Sequence, residues 1–143
     1  MATAMSEPNE FRLYHTMIRV LDLDKSLDFY TRILGMKVLR NTDYPEGRFT
    51  NVFIGYGHEN EEPSIELTHN WDQEQPYEKG NGWGHIALMV PDVYAACERL
   101  EKEGVKILRP AGPMNAGTRI LAFVEDPDGY PIELVSPLEE SAA

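Results

Sequence analysis

Cysteine is nearly missing: Cys97 is the only one in 143 residues. A single thiol excludes an internal disulfide framework and a cysteine-rich metal site, and it favours a reducing compartment. Positive charge is scarce as well, with 13 Lys and Arg against 24 Asp and Glu, a formal charge of −11. Nucleic acid and anionic membranes are gripped largely by Lys and Arg, so this balance argues against both as partners. An anionic small molecule remains admissible only through a local basic pocket inside a repelling field. Long apolar runs are absent too. Stretches such as residues 86–90 fall far short of the roughly 20 apolar residues of a membrane helix. The opening MATAMSEPNE lacks the basic and apolar regions of a secretory signal, so the expected location is cytoplasmic. What is present is ordinary globular composition, 42% hydrophobic and 26% charged. A chain of this length buries roughly 68–70% of its unfolded surface, enough for a core without staples.

The chain reads as one unit used twice. HTMIRVLDLDKS (15–26) aligns with HIALMVPDVYAA (85–96) at an offset of 70, pairing His15 with His85, Val20 with Val90 and Asp22 with Asp92. GMKVLR (35–40) then matches GVKILR (104–109), Phe53 matches Phe123, and SIEL (64–67) matches PIEL (131–134). Ordered matches of this kind mark an internal duplication. Residues 12–20 alternate as a strand, with His15, Met17 and Arg19 on one face. Asp22 or Asp24 caps a helix with a stripe of Leu23, Leu27, Tyr30 and Leu34, ended by Gly35. In the second half Asp92 caps, Val93, Cys97 and Leu100 form the stripe, and Gly104 ends the helix. Three strands follow each helix, near 36–42, 47–56 and 63–70, then 105–109, 118–125 and 130–136. Asp126-Pro127-Asp128-Gly129 joins the last two as a type I turn.

The expected fold class is therefore α+β, two βαβββ repeats forming a curved mixed sheet. The expected segments are an N-terminal extension (1–11), a first module (12–70), a linker (71–81), a second module (82–136) and a C-terminal tail (137–143). Together 12–136 make one domain. The linker can span up to roughly 36 Å, so the halves can pack on each other or on a second chain.

His15 and His85 open equivalent strands, and Glu66 and Glu133 sit in equivalent last strands. Each glutamate is flanked by apolar residues of opposite parity, which keeps its carboxylate off the core face. A twofold relation between the halves brings two imidazoles and two carboxylates to one axis. That donor set suits a divalent ion with two positions left for water or substrate oxygens. A lone strand histidine or glutamate is more often a surface residue; the recurrence of both favours a metal site. His58 and His69 do not recur and read as structural, Cys97 reads as a small core residue, and Trp71 and Trp83 bracket the linker.

HTMIRV, LDFYTRILGMK, ELTHNW, GWGHIAL and AFVEDPDGYPIEL resemble the glyoxalase I (lactoylglutathione lyase) family of the vicinal oxygen chelate superfamily, over residues 12–136. The resemblance implies His15, Glu66, His85 and Glu133 as metal ligands, with nickel favoured over cobalt or zinc because the chain is short. It also implies a homodimer in which each site takes His15 and Glu66 from one chain and His85 and Glu133 from the other. The implied reaction isomerises the glutathione–methylglyoxal hemithioacetal to S-lactoylglutathione through an enediolate, with Glu133 as main base and Glu66 its symmetry mate. Arg19 shares the face of His15 and Asn70 that of Glu66; both match positions that bind the glutamyl end of glutathione. Asn81 falls where some members carry an arginine, and Arg109 and Arg119 are further basic candidates. Three other readings compete. An epimerase of the same fold has Gln where this chain has Glu66. An extradiol dioxygenase leaves the fourth carboxylate unexplained. A non-enzymatic small-molecule-binding module does not need the four polar ligands.

Overall fold

Aspartate starts each long helix. Asp22 Oδ1 accepts the Lys25 N–H at 3.2 Å and Asp92 Oδ1 the Ala95 N–H at 3.0 Å, each satisfying a donor that helix geometry leaves orphaned. These caps open α1 (Leu23–Asp28) and α2 (Val93–Lys102). Both helical stretches end on a glycine with positive φ, Gly35 at 82° and Gly104 at 81°. The structure, a computed structural model, describes residues 7–138. Residues 1–6 of the expected extension and 139–143 of the expected tail lie outside the described residues.

Eight strands complete the two repeats: β1 (His15–Arg19), β2 (Lys37–Tyr44), β3 (Phe49–Gly55) and β4 (Ser64–Asn70), then β5 (Ile86–Met89), β6 (Ile107–Pro113), β7 (Ile120–Glu125) and β8 (Pro131–Val135). They form two four-stranded mixed sheets, ordered β1-β4-β3-β2 and β5-β8-β7-β6. In each, the first strand runs parallel to the last and the other pairs are antiparallel. The helix supplies the crossover that a parallel pair requires. β6 begins two residues later than expected and runs to Pro113, with register shifts around Arg109.

The first helix departs from its expected stripe. After Asp28 it widens into a π-helical turn, Phe29–Ile33, in which the Leu34 N–H donates to Phe29 O at 2.9 Å. The wider turn rotates the inward face. Ser26, Phe29, Tyr30 and Ile33 are buried, while Leu23, Leu27 and Leu34 pack at the margin. In α2 the expected stripe of Val93, Cys97 and Leu100 is the buried one.

One hydrophobic cluster spans both repeats, from Ile18, Val52, Ile54 and Leu67 to Val124, Ile132 and Leu134. These come from the core faces of the sheets, so each strand's other face is left for polar groups. Burying a side chain such as Leu67 or Ile132, both fully enclosed, contributes about 1.5–3 kcal/mol. Where the repeats meet, polar contacts tie the turn before β8 to the β1–α1 junction. The Tyr30 hydroxyl donates to Asp126 at 2.6 Å, the Leu21 N–H to Asp128 at 2.8 Å, and the Tyr130 hydroxyl to the Arg19 carbonyl at 2.8 Å. Arg32 adds an ion pair to Glu103 at 2.7 Å.

Candidate metal centre

Strand register brings each histidine onto its glutamate. Met17 pairs with Glu66 across the parallel β1–β4 ladder, and His15 lies two residues back on the same face. His15 Nε2 stands 3.0 Å from Glu66 Oε2. The second repeat copies this: Ala87 pairs with Glu133, His85 lies two residues back, and His85 Nε2 stands 3.7 Å from Glu133 Oε2. His85 falls just before β5 rather than inside it. Each imidazole also rests edge-on against a phenylalanine of the third strand, His15 on Phe53 at 5.2 Å and His85 on Phe123 at 5.0 Å. Phe53 and Phe123 are in turn the cross-strand partners of Glu66 and Glu133. The two His–Glu pairs therefore agree in residue type, register and supporting ring.

The residues fit half a metal site each. One borderline nitrogen donor and one hard oxygen donor face one another, partly shielded, with side-chain exposures of 31% and 15% for His15 and Glu66 and 43% and 18% for His85 and Glu133. The four are not gathered within one chain. Among the described residues no three His, Cys, Asp or Glu side chains come close enough to hold one ion. His15 Nδ1 is buried without a hydrogen-bond partner, which leaves Nε2 as the nitrogen that faces Glu66 and would take the ion.

Arg19 lies four residues along from His15 on the same face, exposed, and has no salt-bridge partner among the described residues. Asn70 closes β4 on the face of Glu66, and its Nδ2 donates to the Tyr77 hydroxyl at 2.9 Å. Near them is a cavity of about 190 Å³ whose lining includes Arg19, Tyr77, Glu78, Lys79, Trp83 and Tyr130. Tyr77 and Lys79 carried no sequence signal, because the linker has no periodicity and no counterpart elsewhere in the chain. The mostly exposed linker is nevertheless tied down: Lys79 Nζ donates to the Asp128 carbonyl at 2.8 Å, and just beyond it Trp83 meets Tyr130 edge-on at 5.4 Å.

The other basic candidates are occupied. Arg109 donates to four backbone carbonyls, Leu121 and Pro113 at 2.8 Å among them, and Arg119 donates to Ser136 O at 2.7 Å. Asn81 is exposed. Arg40, the repeat counterpart of Arg109, lies 3.9 Å over Phe53 and pairs with Glu59 at 2.7 Å. His58 accepts from Asn60 N–H within its own loop, His69 lies 3.5 Å from the Val20 carbonyl, and Trp71 donates to Thr50. Away from the half-sites, burial holds the Asp126 carboxyl above its ordinary value, against hydrogen bonds from Tyr30, Tyr130 and Asp128 that lower it.

Comparison with known proteins adds an independent line. Residues 12–134 match the family model described as the Glyoxalase/Bleomycin resistance protein/Dioxygenase superfamily. A lactoylglutathione lyase of Neisseria meningitidis serogroup A is 60% identical over 124 residues, covering 87% of this chain and 89% of the relative. The crystal structure of glyoxalase I from Zea mays superposes with a TM-score of 0.85 at 41% identity over 90% of this chain. The chain spans only 45% of that maize protein. The trypanothione-dependent glyoxalase I of Leishmania major superposes with a TM-score of 0.78 at 45% identity, covering 88% of this chain and 86% of that one.

Proposed function

The chain belongs to the Glyoxalase/Bleomycin resistance protein/Dioxygenase superfamily, and on that premise we propose that it is a metal-dependent lactoylglutathione lyase that detoxifies methylglyoxal. The observation that carries the reading is the duplicated His–Glu pair in identical register, His15 with Glu66 and His85 with Glu133. Each chain supplies two half-sites, and a homodimer completes them: His15 and Glu66 of one protomer join His85 and Glu133 of its partner. A C₂ arrangement satisfies this with one self-complementary interface. Nickel is the favoured ion, with cobalt and zinc accepted by the same donors. The functional domain runs over 12–136, and a cytoplasmic location suits the lone, buried Cys97 thiol.

The substrate is the adduct of a thiol with methylglyoxal, in which one carbon bears sulfur and hydroxyl and its neighbour is a ketone. The reaction moves the C–H proton from the first carbon to the second and a hydroxyl proton from the first carbon's oxygen to the second's, through an enediolate. No atom is gained or lost, and the product is the thioester of lactate. A divalent ion supplies Lewis-acid stabilisation of the developing negative charge, worth several kcal/mol. Glu133 accepts the carbon proton and returns it to the neighbouring carbon; a positioned base of this kind contributes about 10²–10⁴-fold. Glu66 stands in the equivalent place on the other side. Phe53 and Phe123 back the ligands with apolar surface. Arg19 receives a carboxylate of the thiol's glutamyl end. Asn70, its Nδ2 committed to Tyr77, turns its carbonyl oxygen to the ammonium.

The test is thioester formation from methylglyoxal plus glutathione after chelation and restoration of single ions. No metal-dependent thioester with any ion defeats the reading. Because the Leishmania relative is trypanothione-dependent, trypanothione is run in parallel; product with trypanothione alone changes the thiol and keeps the chemistry.

A further inference from the structure

The two half-sites carry the same ligands but different neighbours. Phe53 opposite Glu66 and Phe123 opposite Glu133 set a common register. The adjoining cross-strand pair on the same face is Asn51–Thr68 in the first repeat and Leu121–Val135 in the second. One glutamate thus has a polar step beside it and the other an apolar one. Thr68 Oγ1 lies 2.9 Å from the Asn51 amide and 3.5 Å from Glu66 Oε1. As placed, the hydroxyl donates to Asn51 Oδ1. Turning that amide over puts its Nδ2 against Thr68 Oγ1 and releases the single hydroxyl proton to Glu66. The hydroxyl then points across the 3.5 Å to Glu66 Oε1, and Thr68, 9% exposed, has little water to turn to instead. Leu121 and Val135, 8% and 9% exposed, have nothing to donate.

We propose that Thr68 is a positioning residue that tethers Glu66, and that Val135 at the matching place leaves Glu133 untethered. This polar-to-apolar exchange would then decide which of two otherwise equivalent carboxylates is free to take and return the substrate's proton. A tethered carboxylate has to break a charge-assisted hydrogen bond to move; an untethered one does not. The inference rests on reading His15, Glu66, His85 and Glu133 as the metal ligands.

Three variants separate the possibilities: Thr68→Val removes the hydroxyl at nearly constant shape, Thr68→Ser retains it, and Val135→Thr supplies one to Glu133. Affinity for Ni²⁺ alone is measured by competition with a chelating dye, with circular dichroism as the check on folding. Thr68→Val is expected to bind the ion about 10–100-fold more weakly, the usual effect of losing an outer partner of a ligand. Thr68→Ser is expected to bind like the unmodified protein. In thioester formation, the residual activity of Glu133→Gln rises when Thr68→Val is added, because Glu66 is released to substitute. Unchanged Ni²⁺ affinity in Thr68→Val, or equal losses in Thr68→Val and Thr68→Ser, overturns the inference. Should Thr68→Val not fold, Val135→Thr carries the test: turnover falls while Ni²⁺ affinity holds or improves, and unchanged turnover overturns the proposal. Failure of the underlying reading looks different. In that case His85→Ala binds Ni²⁺ as tightly as the unmodified protein.

Discussion

Single residues separate holding an ion from moving a proton. Glu133→Gln keeps an oxygen donor at the same place but loses the basic oxygen. Turnover is expected to drop by about 10²–10⁴-fold, the contribution of a placed base, with a much smaller loss of metal affinity. Parallel measurement of kcat and Ni²⁺ affinity checks this, and equal losses would make Glu133 a ligand and nothing more. Asp126 offers a second test, through pH. Burial raises its carboxyl above the ordinary aspartate value. Between those two values the folded protein holds a proton that the unfolded chain has released, so stability from this group falls as pH rises through that window. Asp28, Glu59 and Asp72, held low by Arg32, Arg40 and Arg48, act with the opposite sign at lower pH. Asp126→Asn keeps an acceptor for the Asp128 and Tyr130 N–H groups and cannot ionise. Urea midpoints across pH should show the variant gaining on the unmodified protein as pH rises. A constant difference would mean that Asp126 titrates alike in both states.

Among the elements, the turn from Asp126 to Gly129 has the largest reach. It closes through the Gly129 N–H to the Asp126 carbonyl at 3.0 Å, with Gly129 at φ 87°. A Cβ there would meet only side-chain ends, Glu125 Oε1 at 3.2 Å and Lys79 Nζ at 3.3 Å. The cost of Gly129→Ala is therefore mainly backbone strain, about 1–2 kcal/mol, read from denaturant unfolding. A larger loss would mean that the ties to Leu21 and Lys79 go with it. The place of this turn was legible because Pro second and Gly fourth have local physical causes. The strand parities of His15 with Arg19 and Glu66 with Asn70 were legible for the same reason, since alternation depends on neighbours alone. The π-helical turn at Phe29–Ile33 was not, because it answers to packing against the second repeat. Nor were the roles of Tyr77 and Lys79, whose partners Asn70 and Asp128 lie 7 and 49 residues away. Arg109 looked available for an anion and instead spends its donors on carbonyls of its own irregular strand.

At the scale of the molecule, duplication made the two His–Glu pairs visible in the sequence, but where the repeats dock is a matter of surfaces that no motif reports. If each site draws on two chains, defects placed in different halves complement one another. Mixing His15→Ala and His85→Ala chains leaves one intact site in each mixed dimer. Random reassociation then restores about a quarter of the unmodified activity, a direct result of the twofold exchange of half-sites. No rescue after unfolding and co-refolding would place all four ligands of a site in one chain.

The ties between the repeats also have a kinetic meaning. Leu21 to Asp128, Tyr30 to Asp126 and Tyr130 to Arg19 join residues 107, 96 and 111 positions apart. Contacts of such separation require closing a loop that spans most of the chain. Within a repeat, the parallel strands His15–Arg19 and Ser64–Asn70 close a shorter span. The two repeats are therefore expected to assemble first and clasp last. Until the Asp126–Tyr130 segment docks, either repeat exposes a face that its near-copy, from the same chain or another, can occupy, so refolding yield should fall as concentration rises.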